Sequence, residues 1–222
     1  MTSLNTCVSI AVKSKKKLYN DTITCLKKSK YVELRLDHLP PKDVQIILEE
    51  LGPKLSRCIC TLRPKREGGN FTQSEKKRVE LLKIIIGFKP YLVDIEYNTL
   101  NNYTSLYTLA KKSNILVSWH DFKKTPSVSL LNKRLDSMQK MSKNIKIVTM
   151  CTKPIDASLI ISLYGKVKAD TKLVAFGMGS MGRISRLLCL YLGSPFTYVS
   201  LGKAVAPGQF SLAEIIPLLK RR

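Results

Sequence analysis

The sequence has no apolar run of the length needed to cross a bilayer, which is roughly 20 residues. Its opening stretch, MTSLNTCVSIAVKSKKK, also lacks the basic segment that precedes the apolar core of a secretory signal peptide. We expect this stretch to form a first β-strand. These two absences predict a cytoplasmic protein that does not associate with a membrane.

Histidine is scarce, since His38 and His120 are the only two in the chain. The six cysteines include no CxxC pair, so a zinc site of common spacing is not available. Most of them lie in apolar runs, which is typical of reduced thiols in a protein core. The cysteines are Cys7, Cys25, Cys58, Cys60, Cys151 and Cys189.

Acidic residues are few, 16 against 38 lysines and arginines, and the formal net charge is +22. A charge of this size raises the hypothesis of a nucleic-acid-binding protein. The basic residues are spread over nearly every segment, however, apart from a cluster at 13–17 and a basic end at 220–222. No DNA- or RNA-binding motif accompanies them. We therefore expect no specific nucleic-acid partner, although the positive field would attract an anionic metabolite.

Eight strand-like segments alternate with helix-like segments. Hydrophobic residues make up 44% of the chain, which is enough for a full core. Several strand segments are continuous apolar runs, as expected of parallel strands covered by helices. Strands are predicted at 6–12, 31–37, 57–63, 91–97, 115–120, 144–150, 172–178 and 196–201. Helices are predicted at 15–30, 42–51, 74–86, 100–112, 127–141, 155–168, 181–192 and 212–220.

A glycine-rich phosphate loop is missing after the first predicted strand, where Lys13-Ser14-Lys15 stands instead. Open doubly wound sheets usually carry such a loop. Its absence, together with eight βα units, favours a (β/α)8 TIM barrel. Without a linker or a repeat, we predict a single domain over residues 1–222. In such a barrel, functional residues lie at the carboxyl ends of the strands.

The second predicted strand alternates charged and apolar residues, with Glu33, Arg35 and Asp37 on one face. Three inward charges are costly unless they pair or hold a ligand. The competing interpretation is a half-exposed edge strand whose polar face is solvated.

The third and fourth strands also bring charge to their ends. Arg63 ends the third strand and could bind a carboxylate or hydroxyls, and Glu67 precedes two glycines in the next loop. Taken by itself, this segment also fits an ordinary basic turn. Asp94 and Glu96 share one face of the fourth strand, where we expect them to neutralise inward cations.

Lys146 lies in the apolar strand NIKIVTM, where a lysine has no obvious structural purpose. A buried amine that is neutral is a nucleophile for carbonyl carbons. His120 ends the preceding strand, and imidazole is the natural proton carrier near neutral pH. The bland alternatives are a strand end that reaches solvent, an ion pair of the lysine with Asp94 or Glu96, and a structural histidine.

Two glycine-containing loops complete the pattern. Gly182 to Arg186 follow the seventh strand, and the arginine within the next helix could reach over the barrel mouth. Residues 202–209 follow the eighth strand, which is a usual place for a lid.

Together these segments closely resemble the type I 3-dehydroquinate dehydratase family of the shikimate pathway. The motifs occur in the family's order along nearly the whole chain. They are ExRxD at 33–37, TxRxxxEGG at 61–69, SxHDF at 118–122, the strand lysine Lys146, GxxSR at 182–186 and APGQ at 206–209.

The resemblance implies a homodimeric TIM-barrel lyase that needs no metal or cofactor and converts 3-dehydroquinate to 3-dehydroshikimate. Lys146 would form an imine with the C3 ketone. His120 would take the C2 proton and return it to the departing C1 hydroxyl, while Glu67 would hold and polarise His120. Residues implied to bind the substrate are Ser9, Glu33, Arg35, Arg63, Arg186 and Gln209, with Arg186 on its carboxylate.

One position departs from the family pattern. Many members have Ser or Thr four residues before the loop glutamine, where this chain has Val205, and Ser200 or Lys203 could replace that hydroxyl. Two competing functions also stay open at this point: a class I aldolase-like barrel that uses the same lysine on another carbonyl, and a nucleic-acid-binding protein built on an inactive barrel.

Overall fold

The computed structural model describes residues 4–220, which form two compact units, 4–115 and 116–220. In the first unit, β1 pairs with β2, β2 with β3 and β3 with β4, all in parallel. The strands are β1 (Leu4–Ile10), β2 (Ser29–Arg35), β3 (Cys58–Thr61) and β4 (Leu92–Glu96). The helices are α1 (Lys15–Leu26), α2 (Pro41–Leu51), α3 (Glu75–Gly87), α4 (Tyr97–Asn102) and α5 (Thr104–Ala110).

The second unit continues the same alternation. Here β5 pairs with β6 and β6 with β7, again in parallel. Its strands are β5 (Ile115–Asp121), β6 (Asn144–Met150), β7 (Lys172–Met178) and β8 (Thr197–Ser200). Its helices are α6 (Val128–Gln139), α7 (Pro154–Ile161), α8 (Ser185–Tyr191) and α9 (Leu212–Lys220).

The helix starts follow from local chemistry. The Ser14 and Ser74 hydroxyls accept hydrogen bonds from backbone N–H groups in the first turns of α1 and α3. Pro41 and Pro154 occupy the first turns of α2 and α7, where a missing N–H costs nothing. The Asp156 carboxylate accepts hydrogen bonds from the backbone N–H groups of Thr152 and Lys153, at the start of α7.

The strands carry the core of each unit. The apolar strand residues are almost completely buried, for example Val32, Leu34, Ile145 and Ile147. Continuous burial of this kind is what parallel strands covered by helices require. The charged residues of the same strands are therefore held by a rigid apolar framework.

Most predicted elements are confirmed, including the strands at 144–150 and 172–178 and the last helix. The helix predicted at 100–112 is wrong, because the chain breaks at Tyr103 (φ −129°, ψ 85°) and forms α4 and α5 instead. The helix predicted at 181–192 begins only at Ser185, after a turn at 181–184 in which Gly182 packs directly against Gly177. The second strand ends at Arg35, so Asp37 lies in a short 3₁₀ turn.

Candidate active site

Glu33 is buried in the first unit, and each of its carboxylate oxygens accepts a hydrogen bond from a hydroxyl group. Ser9 Oγ donates to Oε2 at 2.6 Å, and Thr61 Oγ1 donates to Oε1 at 2.8 Å. The strand register explains the contact, because Ser9 lies directly beside Glu33. The structure therefore brings two predicted ligand-binding residues together. A carboxylate fixed in this way is well oriented to recognise a ligand hydroxyl.

Arg35 and Asp37 form a bidentate ion pair. Arg35 Nε donates to Oδ1 at 2.9 Å and Nη2 to Oδ2 at 2.8 Å. The backbone N–H of Asn70 donates to the same carboxylate at 2.9 Å. Burial favours the neutral acid, but the Arg35 hydrogen bonds outweigh it and lower the pKa of Asp37. Asp37 therefore stays charged and orients the Arg35 guanidinium.

Arg63 is held between two buried carboxylates. Its Nη2 lies 2.7 Å from Asp94 Oδ2, and its Nη1 lies 2.8 Å from Glu96 Oε1. Burial lowers the pKa of Arg63, but these two charges outweigh it and raise that pKa overall. The prediction that Asp94 and Glu96 neutralise an inward cation is confirmed, and the cation is Arg63.

Glu67 lies in a tight turn that its two following glycines make possible. Gly68 has a φ of +74°, which favours glycine, and a Cβ on Gly69 would lie 2.0 Å from the carbonyl oxygen of Arg63. Burial, then the charge of Glu96, raise the pKa of Glu67 to about 7, while Arg63 opposes them. A carboxyl group with a pKa near neutrality is suited to proton chemistry at cellular pH.

Lys146 is buried in the second unit, with 6% of its surface exposed. Its register neighbours are Ser118 on β5 and Val174 on β7. The strand begins at Asn144, as predicted. Lys146 Nζ is 4.1 Å from the centroid of the Tyr198 ring, which supplies an aromatic face for a cation.

His120 lies near the carboxyl end of β5 and is partly exposed. It is in register with Val148, two residues further along β6 than Lys146. Residues two apart in a strand share one face, so His120 and Lys146 project from the same face of the β5–β6 pair. The His120 ring is stacked with Phe122, with a centroid separation of 5.6 Å. The structure therefore also brings the predicted base and the predicted amine onto one surface.

Arg186 is buried on α8, with 1% of its surface exposed. Its Nη2 donates to the carbonyl oxygen of Pro207 at 3.2 Å, and its guanidinium lies 4.3 Å from the centroid of the Phe176 ring. Among residues 4–220 it has no carboxylate partner, and its Nε has no hydrogen-bond partner. Burial lowers the pKa of Arg186 to about 10. Such a group strongly favours an anionic ligand.

Gln209 closes the loop that follows β8. Its Oε1 accepts hydrogen bonds from the backbone N–H groups of Val205 at 2.8 Å and Ala206 at 3.3 Å. Within residues 4–220 this leaves the side-chain amide nitrogen to donate to a ligand. Gly208 has a φ of +73°, and a Cβ there would lie 2.3 Å from the carbonyl oxygen of Gly179. The loop therefore rests directly on the segment that connects β7 and α8.

Three contact residues in these clusters were not predicted as functional: Thr61, Arg78 and Tyr198. Thr61 stands within a recognised motif, but a strand threonine is common and carries no distinctive signal. The sequence around Tyr198 is typical of an aromatic residue in a buried strand. Arg78 lies in a lysine-rich helix, where nothing in the pattern separates it from the solvent-exposed basic residues around it.

Within residues 4–220, no group of three or more His, Cys, Asp or Glu side chains is arranged to hold a metal ion. No helix in the same range has the length and apolar character needed to cross a membrane.

Comparisons with known sequences agree on one family. The family model described as Type I 3-dehydroquinase matches residues 6–222. A 3-dehydroquinate dehydratase of Pyrococcus abyssi is 39% identical over 191 residues, which is 85% of each chain. A 3-dehydroquinate dehydratase of Dehalococcoides mccartyi (strain 195) is 36% identical over 203 residues, which is 88% of each chain.

Solved structures show the fold. A 3-dehydroquinate dehydratase of Geobacillus kaustophilus has a TM-score of 0.86 at 22% identity and covers 98% of this chain and 90% of its own. A type I enzyme of Clostridium difficile, solved with covalently modified comenic acid, has a TM-score of 0.83 at 26% identity, over 98% and 92% of the two chains. The predicted fold class, a (β/α)8 TIM barrel, is confirmed. Since the family model covers nearly the whole sequence, this chain belongs to the type I 3-dehydroquinase family.

Proposed function

We propose that this protein dehydrates 3-dehydroquinate to 3-dehydroshikimate, a lyase step of the shikimate pathway toward chorismate and the aromatic amino acids. Family membership supports the reaction. The observation that carries the site assignment is Arg186, a buried guanidinium without a carboxylate partner among residues 4–220. The substrate supplies a carboxylate, and guanidinium binds that group in a bidentate geometry.

The chemistry begins at Lys146. Its neutral amine adds to the C3 carbonyl carbon of the substrate, and loss of water gives a cationic imine. The iminium withdraws electrons from C2 and makes the C2 proton more acidic than it is beside a ketone. The Tyr198 ring face, 4.1 Å from the amine in the free protein, is placed to stabilise that positive charge.

His120 is the proton carrier of this proposal. It removes the C2 proton, which leaves an enamine, and the enamine electrons then expel the C1 hydroxyl. His120 returns the proton to the departing oxygen, so that water leaves. A second water hydrolyses the imine, releases 3-dehydroshikimate and regenerates the lysine. Glu67 is assigned as the carboxylate partner of His120, as the family resemblance implies.

The remaining polar residues are assigned to substrate binding. Ser9 and Glu33 form one hydrogen-bonded pair, and Arg35 and Arg63 are oriented by their carboxylate partners, so these groups are preorganised before the substrate arrives. Gln209 would contribute its amide nitrogen from the closing loop. Exclusion of water by that loop would strengthen every charged contact in the site.

We further propose a homodimer that forms through α7 and α8. These neighbouring helices expose the apolar side chains of Ile155, Leu188 and Tyr191, and Ile184 is exposed just before α8. Residues 154–165 and 184–202 contain a single basic residue, the buried Arg186. In a chain of net charge +22, this surface is where two copies would repel each other least.

Sedimentation of the protein tests the dimer. Leu188→Lys should shift the protein to monomer, while Ile84→Lys, at an exposed apolar position on α3, should leave the dimer intact. A monomeric parent protein would contradict the proposal.

We also propose a single domain over residues 1–222 and a cytoplasmic location. The buried thiols of all six cysteines support the location, because such thiols suit a reducing compartment.

Borohydride trapping tests the imine. The protein is incubated with 3-dehydroquinate and borohydride, and the labelled peptide is mapped by mass spectrometry. We expect label on Lys146, none in Lys146→Met, and full labelling in Lys172→Met, which removes an exposed strand lysine. His120→Ala should still trap substrate while turnover falls by orders of magnitude. An active enzyme that labels elsewhere would contradict the role of Lys146, and an inactive parent enzyme would contradict the function.

A further inference from the structure

Arg78 is a completely buried arginine on α3. Its guanidinium lies 2.8 Å from Glu96 Oε2 and 2.7 Å from Glu75 Oε1, and it donates to the carbonyl oxygen of Leu62 at 2.8 Å. It also donates to Thr99 Oγ1 at 2.6 Å. The contact with Leu62 joins the helix to the chain just before Arg63, so Arg78 is attached to the end of β3 as well as to two carboxylates.

These contacts form one line of alternating charges. Arg66 at the surface pairs with Glu75, which pairs with Arg78, which pairs with Glu96. Glu96 uses its other oxygen to bind Arg63, and Arg63 also binds Asp94. Glu96 is therefore shared between one predicted substrate-binding arginine and one helix arginine. Its position depends on both partners.

Glu67 lies within the electrostatic reach of this line. The charged groups that act on it in the first unit are Glu96 and Asp94 on β4, Arg63 after β3, and Arg66 in its own turn. The two carboxylates disfavour ionisation of Glu67, and the two arginines favour it. A change in the charge at Glu96 therefore alters the electrostatic potential at both Glu67 and Arg63.

We propose that Arg78 is a positioning residue of the dehydratase site. It holds the Glu96 carboxylate in its bridging position on Arg63 and offsets the negative charge that Glu96 presents to Glu67. Arg78 would not touch substrate, and its effect would pass through Glu96. The catalytic meaning of this role rests on the proposed function, but the electrostatic role does not.

Titration of Glu67 by carbon-13 NMR tests the inference without turnover. The protein carries carbon-13-labelled glutamate, and the Glu67 signal is the one lost in Glu67→Gln. In Arg78→Met the titration midpoint should rise by about half a pH unit or more, because Glu96 loses the cation that holds it on Arg63 and offsets its charge toward Glu67. Arg78→Lys keeps the charge and should restore a midpoint near that of the parent protein.

Arg57→Met is the matched control for lost stability. Arg57 is a partly buried arginine whose hydrogen bonds within residues 4–220 go to the backbone carbonyl oxygens of Leu26, Ser29 and Lys30, so its loss should leave the Glu67 midpoint unchanged. An unmoved midpoint in folded Arg78→Met would overturn the inference. An equal rise in Arg78→Lys would overturn it too.

A second set of variants covers the case in which Arg78→Met does not fold. Glu96→Gln is compared with Arg78→Met/Glu96→Gln, which leaves no unpaired charge at Glu96. If Arg78 acts through Glu96, the added substitution should move the Glu67 midpoint no further. A clear additional shift would overturn the inference. In the dehydratase assay, the acid limb of kcat/KM should follow the NMR midpoint, and an inactive parent enzyme would contradict only the proposed function.

Discussion

The Lys146 amine lies 4.1 Å from the centre of the Tyr198 ring, and that ring packs edgewise on Phe176, whose face in turn lies against Arg186. Two aromatic side chains thus support the proposed imine-forming amine and the proposed carboxylate-binding guanidinium. Both nitrogen groups lie against ring faces, and an aromatic face stabilises positive charge without neutralising it.

The aromatic face of Tyr198 should therefore matter more than its hydroxyl. A cation–π contact of this kind contributes about 0.5–2 kcal/mol, so we expect Tyr198→Leu to lower kcat/KM by roughly 2- to 30-fold. Tyr198→Phe keeps the ring and should stay within a few-fold of the parent enzyme. Steady-state kinetics measure both. An equal loss in the two variants would show that the hydroxyl, not the ring, is important.

Arg186 should be important for substrate binding but costly for folding. A buried charge without an anionic partner destabilises a protein, so Arg186→Met should retain or raise the thermal midpoint while KM rises by about 100-fold or more. Arg183→Met is the control, because it removes an exposed arginine that pairs with Glu214. Calorimetry and kinetics provide the two measurements. A marked fall in the thermal midpoint would show that Arg186 stabilises the fold, and it would contradict a role confined to binding an anionic substrate.

The loop that carries Gln209 should depend on glycine at one position only. Gly208→Ala would place a methyl group 2.3 Å from the Gly179 carbonyl oxygen at a left-handed backbone position, so the loop should separate from its support. We expect faster proteolytic cleavage within 201–209 and a higher KM, with little change in global stability. Gly202→Ala meets no atom within 4 Å and should behave as the parent protein. Equal cleavage rates in the two variants would argue against this packing.

Glu67 should make stability depend on pH in a defined direction. Its pKa is raised from 4.5 to about 7 in the folded protein, so the protonated form is favoured by folding. The stability that this group contributes is complete below the unfolded pKa and is lost as pH rises through about 7. Glu67→Gln removes that dependence. Urea unfolding should therefore show that the variant gains stability relative to the parent protein between pH 5 and pH 8, and an unchanged difference would contradict the raised pKa.

The order of strands and helices could be predicted from the sequence, because burial on both faces of a parallel strand leaves a visible apolar run. The strand that holds Lys146 was located residue for residue. Helix interiors were less predictable. The break at Tyr103 lies in a segment whose composition also suits one continuous helix.

Candidate site residues could be proposed from the sequence, but the pairings between them could not. The sequence alone placed Glu33, Arg63, His120 and Lys146 on the second, third, fifth and sixth predicted strands, and motif order connected them to a family. Only the tertiary structure decided that Arg63 binds both Asp94 and Glu96, and that Arg78 reaches Glu96 from a helix. Strand register and the packing of helices on strands join residues far apart in the chain, and local composition does not encode those distances.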